Sequence, residues 1–255
     1  MSVKLLWRAL GALAVVALAV GANAEESKAK SAEEIIALNL KARGGLEKIT
    51  AMKTAVMSGK MGMGGMDVPF RVEWKRPNKV RREFTMQGMT GIMAYDGETA
   101  WQVMPFMGQT APEKMPESQS KELVEQADLE GALVNYKEKG HQVEYLGTAD
   151  VEGTPAYKLK VTRKSGEVVN YYIDTETNLE IKADMKQEMN GQEMEMSIFF
   201  SDYKESGGLM FPYTFEMRIP GMPAGQVLTF DKIELDGEIA ADRFAMPAAP
   251  EAAKP

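Results

Sequence analysis

The chain has no cysteine and a single histidine among its 255 residues. Without cysteine there is no disulfide, no thiolate metal site and no N-terminal cysteine to carry a lipid. The lone His141 follows Gly140 at the start of a strand-like run, where a solvated position is expected. No G-x-S-x-G elbow, H-E-x-x-H helix or glycine-rich phosphate loop is present, so nothing in the pattern calls for catalysis or a cofactor. Past the first residues, no stretch approaches the roughly 20 apolar residues that a membrane-spanning helix needs. Basic residues are also outnumbered, 30 against 37 acidic. That balance argues against nucleic acid and against bulk-charge attraction to anionic lipid.

The start of the chain has the form of an export signal. Lys4 and Arg8 precede an uncharged apolar run from Leu10 to Val20, and Ala22-Asn23-Ala24 supplies a small-x-small cleavage pattern. Cleavage after Ala24 is expected, which takes the formal charge from −7 to −9 by removing those two cations. Residues 25–246 then suit one large domain, and 247–255 form an Ala/Pro-rich tail expected to be disordered.

Ser31-Ala32-Glu33-Glu34 is a capping box opening a helix with Ile35, Leu38 and Ala42 on one face, closed by Gly44-Gly45. From Lys53 the hydrophobic period changes to two. Strand-like runs follow at 53–63, 66–76, 79–87, 90–95 and 99–104, and again at 142–148, 156–163, 167–174, 178–189, 192–203, 209–219 and 226–235. Between the two sets, 105–140 begins as a Pro/Met loop and continues as a helix over about 118–136, with Leu123, Ala127 and Leu133 on one stripe. The expected architecture is mainly β with α, an antiparallel meander of about 11–12 strands whose curled face is covered by the two helices.

What the chain has in excess is methionine, 20 residues of it. The stretch "GKMGMGGMDVPF" (59–70) holds a Gly64-Gly65 hairpin turn. That turn sets Met63 opposite Met66, Met61 opposite Val68, Gly59 opposite Phe70, Met57 opposite Val72 and Ala55 opposite Trp74, all on one side of the pleat. The Asn190-Gly191 turn does the same for Met185 and Met196, with Ile181, Ala183, Met189, Met194, Ile198 and Phe200 on that face and Glu180, Lys182 and Asp184 on the other. Strand 209–219 adds Phe211, Tyr213, Phe215, Met217 and Ile219. One explanation is an ordinary core beneath the helices. A second is a deformable apolar cavity, because the flexible thioether suits variable apolar partners. A third is a thioether-only Cu(I) site at Met61, Met63 and Met66, although the methionines run along whole strands rather than ending in a cluster.

The order of several segments resembles a known family. "VEWKRPNKVRREF" (72–84) followed by "AYDGETAWQVMPF" (94–106) is similar to the LolA/LolB class of outer-membrane lipoprotein-sorting carriers, which share a Lys-Arg-Pro-Asn turn, Asp-Gly-x-x-x-Trp and Pro-Phe. Here these are Lys75 to Asn78, Asp96, Gly97, Trp101, Pro105 and Phe106. "KARGGLEKITAMKTAVMSGKM" (41–61), "YYIDTETNLEIKADM" (171–185) and "FSDYKESGGLMFPYTFEM" (200–217) are similar to the wider lipoprotein-sorting set.

The resemblance implies an unclosed antiparallel β half-barrel with a helical lid over an apolar cavity. It implies a monomeric periplasmic carrier of lipoprotein acyl chains or lipid, served by a membrane-bound donor or acceptor. Lipid contacts are then expected at Met57, Met61, Met63, Met66, Val68, Phe70, Val72, Trp74, Trp101, Met185, Met194, Met196, Phe211 and Phe215. Control of lid and ligand falls to Arg76, which matches the family's arginine of the Arg-Pro turn, and to Leu123, Ala127 and Leu133. An envelope lipid sensor acting through a protein partner is the alternative within the same fold.

Overall fold

The computed structural model describes residues 30–248 except 64, 190–191, 222–224 and 241, with no side-chain account of 63, 118–119, 187–189 and 192. The expected leader and residues 249–255 of the expected tail lie outside the described residues. Helix α1 (Ala32–Ala42) begins with the anticipated capping box: the Glu34 amide donates to the Ser31 hydroxyl at 3.2 Å and the Ser31 amide to the Glu34 carboxylate at 2.7 Å. Its buried face is Ile35, Ile36 and Asn39 rather than Ile35, Leu38 and Ala42. Asn39 is drawn inward because its amide donates to the Asn178 carbonyl at 2.9 Å. A short α2 (Leu46–Ala51) leads into the sheet.

The strands are β1 (Thr54–Met63), β2 (Met66–Lys75), β3 (Lys79–Met86), β4 (Met89–Tyr95), β5 (Ala100–Met104), β6 (Gln109–Lys114), β7 (Gln142–Val151), β8 (Thr154–Thr162), β9 (Val168–Asp174), β10 (Glu180–Met189), β11 (Gln192–Ser206), β12 (Leu209–Arg218) and β13 (Gln226–Leu235). β6 replaces part of the expected loop. Its Pro112 is tolerated because β6 is an edge strand, where a missing amide costs no ladder bond. The two hairpin registers read from sequence are the observed ones, Met61 opposite Val68 and Met185 opposite Met196 among their pairs.

The thirteen strands form one antiparallel sheet in the order β6-β5-β4-β3-β2-β1-β13-β12-β11-β10-β9-β8-β7. It is not one meander. Two meanders, β1–β6 and β7–β13, are joined where the first strand pairs with the last, Met57 opposite Ile233. The sheet is an unclosed half-barrel with a small helical lid. Its open edges, β6 and β7, are consecutive in the chain, so the segment between them must cross from one edge to the other. That segment carries α3 (Glu117–Gln126). The expected helix to residue 136 stops ten residues early. Gly131 (φ 88°) and Asn135 (φ 48°) take left-handed backbone conformations that no α-helix continues through.

Each helical element covers its own part of the inner face. Leu123 and Ala127 pack on Met57, Met61, Val68, Phe70 and Phe230, closing the first half of the sheet. Ile35 and Ile36 of α1, with Ala132 and Leu133, pack on Leu159, Val161 and Ile173 of the second half. Outside, Phe244 is fully buried and Met246 packs against Trp101, so the chain after β13 forms a strap over the convex face.

Candidate functional site

The inner face of β1–β5 and β10–β13 is lined as the alternation requires past the β10 bulge. Met57, Met61, Val68, Phe70, Val72 and Met196 are buried, and Trp74, Met185, Met194, Phe211 and Phe215 are half-buried. Aromatic rings run across it in contact, Phe70 to Phe230 at 6.3 Å, Phe230 to Phe215 at 5.5 Å and Phe215 to Phe200 at 5.4 Å. Beneath α3 this part of the trough is filled by the protein's own side chains.

Two expected lining residues lie elsewhere. Trp101 is on the opposite face: Ala94 and Trp101 are paired on the convex side, and the indole donates to the Phe244 carbonyl at 2.8 Å. Its phase along β5 puts Ala100 inward and Trp101 outward, which the motif alone does not show. Met66 sits at the β1–β2 tip with 58% of its surface exposed. The Met63 side chain lies outside the described residues.

The open space lies beside the methionine cluster, between the lid and β9–β12. It is a cavity of about 250 Å³ lined by Leu133, Phe200, Phe211 and Phe215, with Arg43, Tyr171, Glu180 and Tyr203 as its polar wall. Arg43 emerges at the end of α1, where it donates to the Glu130 carbonyl at 3.0 Å and approaches the Glu180 carboxylate at 3.8 Å. Tyr203 donates to the Glu180 carbonyl at 2.8 Å. Burial raises the Tyr203 hydroxyl well above the ordinary tyrosine range and raises Tyr171 as well, so both hydroxyls are neutral at neutral pH.

Sequence alternation assigned Glu180 to the wet face and Ile181 to the inner one. A register shift between Glu180 and Lys182 reverses both: Glu180 lines the cavity, and Ile181 packs with Tyr172 and Phe199 on the outside. A bulge leaves no mark in the polar/apolar pattern, so this wall was not legible beforehand.

The lid is tied to the sheet at several points. Arg76 donates to the Met52 carbonyl at 2.5 Å and to the Ile49 carbonyl at 3.4 Å, and it bonds the Glu130 carboxylate of the lid segment. The Trp74 indole donates to the Gln126 carbonyl at 2.8 Å. On the far side, Arg163 bonds Glu125 of α3 at 2.6 Å. Arg82, unnoticed in the sequence, points inward beside Val72, where burial lowers its pKa and the Glu122 carboxylate opposes that. His141 accepts from the Lys164 amide at 3.0 Å and has no place in the cavity wall. No described helix is long and apolar enough to cross a membrane, and no group of three or more His, Asp or Glu among the described residues could hold a metal ion.

No family model matches the chain, nor does any curated protein. Solved structures do. A DUF1329 family protein from Desulfovibrio piger superposes with a TM-score of 0.59 at 13% identity, over 83% of this chain and 96% of the other. An outer-membrane lipoprotein-sorting protein domain from Vibrio parahaemolyticus gives 0.57 at 12% identity, over 83% and 95%. A LolA superfamily protein from Nitrosomonas europaea gives 0.54 at 15% identity, over 85% and 98%. Through most of its length the chain has the fold of the LolA-like lipoprotein-sorting proteins.

Proposed function

We propose that this protein is a periplasmic carrier that takes up the acyl chains of lipoproteins or lipids on the inner face of its half-barrel. The observation that carries the proposal is the continuity of the 250 Å³ cavity with a methionine- and phenylalanine-lined trough under a tethered lid. The likeness in fold to lipoprotein-sorting proteins supports it, and the signal-like start of the chain supports export.

The cavity is smaller than the roughly 300–1,000 Å³ typical of ligand sites, so a long chain enters only if the trough yields. Methionine permits this. Its unbranched side chain changes rotamer at little cost, and among its described residues α3 buries only Leu123, with Ala127 at its C-terminal cap, and is otherwise fastened at a few points. Each methylene transferred from water gains about 0.8 kcal/mol, enough over a long chain to offset moving α3. The polar wall of Arg43, Glu180 and Tyr203 is placed to meet the ester or amide end of such a ligand.

Native mass spectrometry on the delipidated chain, offered a soluble acylated peptide, tests the proposal. Stoichiometric uptake is expected, and it should be lost in Met210→Asp, since Met210 also lines the cavity. A folded protein that takes up no acylated ligand overturns the proposal.

A further inference from the structure

The two ends of the sheet carry opposite kinds of turn. The ladder fixes which turns share an end: Met61 lies opposite both Val68 and Leu228, and Ala55 opposite both Trp74 and Leu235. At the Ala55 end the turns are charged, with Lys75, Arg76 and Lys79 after β2, Asp96 and Glu98 after β4, and Asp174 and Glu176 after β9. At the Met61 end, the β1–β2, β3–β4, β5–β6 and β12–β13 connections fall in segments 61–66, 84–94, 102–112 and 219–230, none of which contains a charged residue or histidine. These connections belong to eight consecutive strands, β6 to β12 in the sheet order. The arc then ends: the β8–β9 turn carries Arg163, Lys164 and Glu167, and Glu188 and Glu193 flank the β10–β11 tip.

On this arc the tips project apolar side chains into solvent. Met107 is 77% exposed, Met66 58% and Met89 37%, while Val227, 38% exposed, lies within β13 opposite Glu216. The other large exposed apolar residues among those described, Leu46, Val124, Leu146 and Val168, are scattered over separate elements. Single exposed apolar residues need no explanation, but three methionines on neighbouring tips within an uncharged zone do. The Lys60–Asp67 pair at 3.4 Å marks where charge resumes below the first tip.

We propose that this uncharged rim is a membrane-docking edge, which seats one end of the half-barrel in the interfacial layer of a zwitterionic bilayer. Separate knobs on separate hairpins make no cleft for a peptide, but they suit a fluid interface that closes around each one. The absence of charge favours a surface of zero net charge over an anionic one, as does the acidic balance of the whole chain. The rim is continuous with the trough: directly inside Met107, the Phe106 ring packs on Phe84 at 5.4 Å. The docking edge does not depend on what the cavity holds.

The test is flotation of the mature chain (25–255), which contains every described element, with phosphatidylcholine vesicles. Met66→Asp, Met89→Asp and Met107→Asp together should lower the bound fraction about tenfold or more, because a carboxylate replaces an inserted thioether at each tip. Charge reversal at the other end, Glu98→Lys with Glu176→Lys, should leave it unchanged. The chain lacks cysteine, so Met107→Cys carries a single environment-sensitive fluorophore. Its emission should shift to the blue on adding vesicles, whereas a label at Glu98→Cys should not respond. A chain that does not float, a triple variant that floats as well as the parent, or binding confined to anionic vesicles and removed by salt overturns the proposal. Capture of a soluble protein by the tips without vesicle binding also overturns it. Uptake of acylated peptide from solution is read separately, so the edge and the cavity can fail independently.

Discussion

Phe70 of β2 and Phe230 of β13 hold their rings 6.3 Å apart although β1 runs between their strands. Gly59 makes this possible, since it is the β1 residue opposite both of them. A Cβ at Gly59 would lie 2.0 Å from the Thr229 carbonyl oxygen and 2.6 Å from the Phe230 Cα, both of them backbone atoms. Glycine here lets the two meanders close against each other. Gly59→Ala is expected to destabilise the fold by about 2 kcal/mol or more despite alanine's better strand preference, because backbone must move. Urea unfolding measures it, and an unchanged midpoint would refute the role.

The lid helix is fastened to the far half of the sheet by Arg163 and Glu125, 2.6 Å apart and mostly buried. Removing either partner leaves a poorly solvated charge. A double-mutant cycle with Glu125→Gln and Arg163→Gln should give a coupling of about 1–2 kcal/mol. Either single change should also speed tryptic cleavage at Lys121 within α3. Independent, additive effects would show that the pair does not hold the lid.

Stability should fall in acid through the convex strap. Glu73 is 3% exposed; burial raises its pKa, but Arg243 and Arg71 outweigh this and hold it below the usual 4.5. The folded-state pKa therefore lies under the unfolded one. The stabilisation is complete above pH 4.5 and is lost as pH falls through the folded-state value. Thermal melts of Glu73→Gln should be lower at neutral pH and flatter between about pH 5 and 3 than those of the parent.

Trp101→Phe separates the two faces of the sheet. It removes the hydrogen bond to the Phe244 carbonyl, and a loss of about 1–2 kcal/mol in stability is expected. Acyl-ligand uptake should be unchanged, because the indole lies on the convex side. Loss of uptake with the fold intact would place Trp101 in the ligand path after all.

Hairpin registers were legible because a Gly-Gly or Asn-Gly turn fixes pairing by counting, and a buried face then selects residues of one parity. That is why Met57, Met61, Val68 and Phe70 lie together on the inner face as read. The count fails at Glu180, where one extra residue exchanges the faces, and at Trp101, where a motif gives position but not phase. It also fails at Leu133, which lies in turns beyond α3 and packs with α1. Helical spacing continued past Gly131, but the backbone did not.

The local order was set by the sequence itself: the capped first helix, the period-two strands, the turns between them and the apolar side of each hairpin. These depend on neighbours within a few residues, where propensity and alternation act. The pairing of β1 with β13, the lid's path from β6 to β7, the outward turn of Trp101 and the inward turn of Glu180 depend on residues far apart in the chain. Only tertiary packing decides them. The methionines of 59–70 were already written as one apolar stripe; the fold made that stripe a trough wall and left Met66 on an uncharged rim.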